Sequence, residues 1–73
     1  SNRNIRNKLM SYFMIEAKKN GSDTFELPFS MSALSDYICV DRSAMVREIS
    51  KMKKDGLIDS DRRKITLLDR DDI

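Results

Sequence analysis

Across residues 4–19 apolar side chains fall at Ile5, Leu9, Phe13 and Ala17, one every four positions, and Met10, Tyr12 and Met14 widen the stripe. That spacing predicts an amphipathic helix laid on a core. Asn20-Gly21 supplies a helix stop, and Lys18-Lys19 suits the negative end of the helix dipole. The period then changes. In "TFELPF", residues 24–29, Phe25, Leu27 and Phe29 alternate with Thr24 and Glu26, which predicts a short, half-buried strand. Pro28 removes a backbone donor and confines that strand to an edge or an end.

The helical period returns twice. Ser30 is an N-cap candidate for a second helix that reaches about Ile38 and turns Leu34, Tyr37 and Ile38 inward. Asp41 is the matching cap of a third helix, which ends at Asp55-Gly56. "GLIDS", "DRR" and "KITLL" then read as strand, tight turn and strand, a hairpin with a basic tip. The expected fold class is mainly α with a small β part (α+β), in the order helix, strand, helix, helix, strand, strand. A helix-turn-helix followed by a hairpin is the winged helix-turn-helix arrangement. Phe13, Phe25, Phe29, Leu34, Tyr37, Ile49, Met52 and Ile65 are the expected core.

The third helix divides into two unlike faces. At about 100° per residue, Ser43, Val46, Arg47, Ser50 and Lys54 fall within about 60° of one direction. Met45, Ile49 and Met52 occupy the opposite side, with Arg42 at the flank and Glu48 and Asp55 directed elsewhere. The Met and Ile face is ordinary core. The other face carries small, hydroxylated and cationic side chains with no acid among them. Such a face is slender enough to enter a DNA major groove, about 12 Å wide, where Arg47 can present a bidentate fork to a guanine edge. By pattern alone, DNA readout and a plain solvated face both stay open. A basic hairpin tip, Arg62, Arg63 and Lys64, favours the first, because a wing there would lie along the phosphate backbone.

Composition narrows the classes. Seventy-three residues make one small domain; 40% are hydrophobic and 36% charged, the balance of a folded domain with a charged surface. The formal net charge is only +2, so the distribution of charge carries more than its sum. Basic residues cluster in 3–8, 42–54 and 62–64, and acids at the end, in "DRDDI". No apolar run approaches the roughly 20 residues of a membrane span. Cys39 is the single cysteine and histidine is absent, so neither an internal disulfide nor a zinc site is expected, and a cytoplasmic location is. Without histidine, a glycine-rich phosphate loop or paired carboxylates in a cleft, an enzyme is not expected. Ser1-Asn2 reads as a tag remnant, 3–69 as the domain and 70–73 as an acidic tail, within a piece of a longer protein.

The stretch "FELPFSMSALSDYICVDRSAMVREISKMKKDGLIDSDRRKITLLD" resembles the DNA-binding domain of the Crp–Fnr family of bacterial transcription regulators, and the likeness runs over roughly residues 3–69. The family's "LP-S/T" segment corresponds to Leu27-Pro28-Phe29-Ser30. Its "LADYLG" corresponds to Leu34-Ser35-Asp36-Tyr37-Ile38-Cys39. Its two recognition-helix arginines correspond to Arg42 and Arg47, and its "GLI" to Gly56-Leu57-Ile58. Two departures stand out: Ser43 occupies a position where many members carry a glutamate that accepts from cytosine, and Cys39 stands for the usual turn glycine.

The resemblance implies sequence-specific binding of double-stranded DNA, with recognition helix 42–55 in the major groove and wing 61–64 on the backbone. Arg47 and Ser43 are then expected at base edges, Arg42 between base and phosphate, and Val46 at a thymine methyl. Ser30 and Ser32 are phosphate candidates, although Ser30 serves equally as a plain cap. Arg62, Arg63 and Lys64 would follow the backbone. The resemblance further implies a parent with an N-terminal sensor domain for an effector of unknown identity, a helix through which it forms a homodimer, and RNA polymerase as a partner. No cofactor is expected in this chain. The competing expectation is a winged-helix module that binds protein without DNA.

Overall fold

The computed structural model describes residues 2–68; Ser1 of the expected tag remnant and the acidic tail 70–73 lie outside the described residues. The chain runs α1 (Asn2–Asn20), β1 (Thr24–Glu26), α2 (Met31–Tyr37), α3 (Arg42–Lys54), β2 (Ile58–Asp61) and β3 (Lys64–Leu67). The element order agrees with the winged helix-turn-helix expected from the sequence. The three strands form one antiparallel sheet in the order β1-β3-β2, with Phe25 opposite Ile65 and Ile58 opposite Leu67.

Hydrophobic periodicity explains the core. Leu9, Phe13 and Ala17 from α1, Leu34 from α2, and Met45, Ile49 and Met52 from α3 meet Phe25, Leu27, Ile58, Ile65 and Leu67 from the sheet side. β1 is an edge strand and stops at Glu26, shorter than the 24–29 expected. Leu27 still donates its N–H to the Arg63 carbonyl, and Pro28, with no N–H to give, ends the pairing. Phe29 and Ile38, expected inside, are only partly buried against the core, and two apolar residues depart further from expectation. Met14 is 47% exposed, because it lies round the helix from the Leu9–Phe13–Ala17 line. Tyr37 is 66% exposed rather than buried. Its ring lies against Tyr12 and Phe29, with centroids 5.6 and 6.0 Å away, on the outer side of an aromatic cluster. Deeper in that cluster, burial and the neighbouring Glu16 push the Tyr12 phenol up to about 12.

All three helices end in the same device. The residue after the cap takes a left-handed conformation, and its N–H and that of the next residue fold back onto the last turn, which satisfies otherwise orphaned carbonyls. At α3 this residue is Gly56, φ 78°, with Gly56 N donating to Lys53 O and Leu57 N to Met52 O. At α2 it is Cys39, φ 61°, with Cys39 N donating to Asp36 O and Val40 N to Ser35 O. Cys39 therefore holds the tight turn of the helix-turn-helix in a conformation that disfavours a Cβ. Its side chain is exposed. Replacing it removes strain at no cost in packing. Cys39→Gly should stabilise the domain by up to about 1 kcal/mol after glycine's greater chain entropy is set against the relieved strain, and raise Tm by up to roughly 4–8 °C. Thermal unfolding checks this, and a lower Tm would show that the thiol makes a contact worth more than the strain.

Candidate nucleic-acid interface

The face of interest is built by α3 and its two supports. Asp41 begins the helix, its carboxylate accepting from Ala44 N at 2.9 Å. Ser30 does the same for α2, its hydroxyl accepting from Ala33 N at 3.1 Å. The apolar stripe Met45, Ile49, Met52 locks α3 onto the core, which turns the opposite stripe outward. Ser43, Val46, Arg47 and Ser50 are all exposed, and so is Arg42 at the first turn. Among the described residues neither Arg42 nor Arg47 forms an ion pair. Both guanidinium groups keep their full set of donors for a ligand.

The α2 candidates are placed less singularly. Ser30 is engaged as the cap of α2, which leaves its hydroxyl proton as a donor. Ser32 is exposed, and its carbonyl accepts from the buried Ser35 hydroxyl at 2.7 Å.

The hairpin tip carries three exposed cations. Asp61 and Lys64 pair across the ladder and leave Arg62 and Arg63 as a two-residue turn. Arg62 has φ 57° while Arg63 stays in the ordinary negative range, the sign pattern of a turn that prefers glycine at its first position. Arg63 leans back over the sheet, its guanidinium donating to Glu26 Oε2 at 3.0 Å in an exposed pair. Arg62 and Lys64 have no such partner among the described residues. The sequence presented these three as equivalent; the fold does not.

One group near this face was not foreseen. Glu48 follows Arg47 on α3 and is 97% buried in residue terms, at 3% exposure. Its Oε2 accepts from Arg6 Nε of α1, and the same guanidinium reaches Asp55 Oδ2 at 3.0 Å through Nη1. Glu48 Oε1 is buried without a hydrogen-bond partner among the described residues. The Glu48 hydrogen bond, with Asp55 behind it, pushes the Arg6 guanidinium further above its already high range, against a smaller opposing effect of burial. A signal was present in the sequence. Glu48 lies about 40–60° round the helix from Met52 and Met45, close enough to the core stripe to need a cation.

No group of three or more acidic, Cys or His side chains able to hold a metal ion occurs among the described residues. No helix among them is long and apolar enough to cross a membrane. Comparison with curated proteins found no match, and neither did comparison with solved structures. The family model for the Crp-like helix-turn-helix domain matches residues 7–73. With helix-turn-helix, hairpin wing and that match over most of its length, the chain belongs to the Crp-like helix-turn-helix family of DNA-binding domains.

Proposed function

We propose that this domain reads DNA sequence by inserting α3 into the major groove while the hairpin tip lies on the backbone, as the DNA-binding part of a cytoplasmic bacterial transcription regulator. The observation that carries the reading is the outward stripe of α3: slender, free of acids, and bearing Arg47 with Arg42 at its flank, neither arginine paired to a protein acid among the described residues. Arg47 sits one turn, about 6 Å, along from Ser43, so the two address neighbouring base pairs. Arg42 at the first turn is shared between base and phosphate. Val46 meets a thymine methyl. Ser30 and Ser32 donate their hydroxyls to a phosphate. Lys54, about 16 Å along the axis from Ser43, lies beyond the bases. In the longer regulator, dimerisation would set two such helices about 34 Å apart on a near-palindrome, so the isolated domain binds weakly.

At the wing, Arg62 and Lys64 carry the backbone contact and Arg63 contributes less, because Glu26 already neutralises it. Arg62 occupies a backbone position that glycine would fill with less strain, and strain of that kind accumulates where a side chain is used. The experiment is the salt dependence of binding to a mixed-sequence duplex. Affinity should fall steeply between roughly 50 and 200 mM salt. Arg62→Ala should weaken binding evenly on all sequences and flatten the slope of log K against log salt by roughly one unit. Arg63→Ala should flatten it less. The reverse order would move Arg63 onto a phosphate and Arg62 off it. Absence of salt-sensitive duplex binding, with tight salt-insensitive association to a protein instead, would replace the proposal with the protein-binding winged helix.

A further inference from the structure

We infer that Arg6, outside the DNA-facing surface, is a positioning residue for the recognition helix; the inference rests on the base-reading role of α3 proposed above. One guanidinium on α1 holds a carboxylate of α3, Glu48 through Nε, and that of the residue capping its C-terminus, Asp55 through Nη1 at 3.0 Å. Positions 48 and 55 are seven apart and lie within about 20° of each other round the helix, so the two side chains leave one stripe at backbone points about 10 Å apart along the axis and converge on the one guanidinium. The buried attachment at Glu48 is the firm one and sets the rotation of α3 about its axis, and the half-exposed one at Asp55 adds a weaker restraint on its slide along α1.

The remaining contact between these helices fixes neither so firmly. Two of the three buried apolar residues that α3 contributes are methionines, Met45 and Met52. Methionine is unbranched and adapts to irregular gaps, so an interface rich in it tolerates small rotations. Base reading does not tolerate them. Arg47 leaves α3 about 100° from Glu48, and a rotation of about 20° at roughly 6 Å from the axis carries a side chain about 2 Å sideways. A bidentate fork on a guanine needs donor–acceptor distances near 3 Å, so a displacement of that size breaks it. Phosphate contacts from flexible cations survive the same displacement. The Arg6 clamp therefore governs discrimination between sequences and leaves overall affinity for DNA alone.

The unpartnered Glu48 Oε1 agrees with a positioning role. A carboxylate kept in the core with half its hydrogen-bonding capacity unused is poor value for stability, and buried ion pairs are weak stabilisers compared with apolar residues of similar volume. What such a pair supplies is direction.

The test compares the wild-type chain with the double variant Arg6→Met/Glu48→Met and with Arg6→Lys. The double variant loses one charge of each sign, so net charge and non-specific attraction to DNA are unchanged. Each protein is titrated with the duplex that wild type enriches from a random library and with a mixed-sequence duplex, and binding is expressed per folded molecule from the same sample's circular dichroism. The ratio of the two affinities should fall roughly tenfold in the double variant, the loss of about one base contact, with mixed-duplex binding unchanged. Arg6→Lys keeps a cation beside Glu48 but has no rigid fork to hold two carboxylates. It should fold as wild type does and lose discrimination about threefold, and it decides the matter should the double variant fail to fold. Wild type that discriminates, with variants that match its ratio, overturns the clamp alone. Wild type that binds both duplexes equally overturns base reading, and the clamp with it.

Discussion

Arg6→Met alone should destabilise the domain by about 3 kcal/mol, the lower end of what removing one partner of a buried ion pair costs. Glu48, at 3% exposure, would then be left charged in the core with Met45, Ile49 and Met52 beside it. The lower end applies because Arg6 is 29% exposed, so water can enter part of the space it leaves. For a domain of this size that loss lowers Tm by roughly 12–24 °C. Replacing both partners should give a quite different result. Arg6→Met/Glu48→Met buries no charge and leaves no orphaned oxygen, so its stability should return to within about 1 kcal/mol of wild type. Thermal unfolding of the two single variants and the double variant closes the cycle. A coupling under about 0.5 kcal/mol would show that the pair is held loosely, as exposed ion pairs are. The Arg63–Glu26 pair at the wing is the built-in comparison. Both partners are exposed, and Glu26→Ala should change stability by less than about 1 kcal/mol.

The contrast between these two pairs explains what could be read from the sequence. Local signals were sufficient for the elements. Asp41 and Ser30 cap their helices as their residue types predict, Gly56 ends α3, and the change from a period of four to a period of two marks the passage from α1 to β1. The two faces of α3 were legible too, since Met45, Ile49 and Met52 are buried and Ser43, Val46, Arg47 and Ser50 exposed as helical geometry requires. Properties set by distant neighbours were not legible. Arg6 and Glu48 are 42 positions apart, and periodicity is blind to a pairing of that range. Tyr37 has the helical phase of a core residue, yet it stands at the last turn of a seven-residue helix, past the edge of what α1 can cover. Its ring rests on Tyr12 and Phe29 instead of entering between them. Arg63 and Arg62 are alike in sequence and differ because the antiparallel register sets Glu26 opposite Lys64, where its carboxylate accepts from the Arg63 guanidinium.

Removing the guanidinium at position 47 should separate base reading from charge. Arg47→Ala is expected to cost about 1–3 kcal/mol on the preferred duplex, roughly 5- to 150-fold in Kd, and to relax preference at one base pair. Stability should change little, because Arg47 is exposed and makes no ion pair among the described residues. Arg47→Lys sharpens the test. Lysine keeps the charge, so binding to mixed duplex and its salt slope should stay near wild type, while affinity for the preferred duplex falls, since one ammonium cannot reproduce a planar fork against a guanine. Ser43 makes the outcome specific to this chain: with a neutral, short side chain one turn earlier, no carboxylate is available there to accept from a cytosine amino group, and discrimination at the neighbouring pair rests more heavily on Arg47. Equal losses on every sequence for both variants would reduce Arg47 to a phosphate contact. The sequence-reading stripe of α3 would then have to begin at Arg42, at the first turn, where the Asp41 cap weakens the positive potential of the helix end.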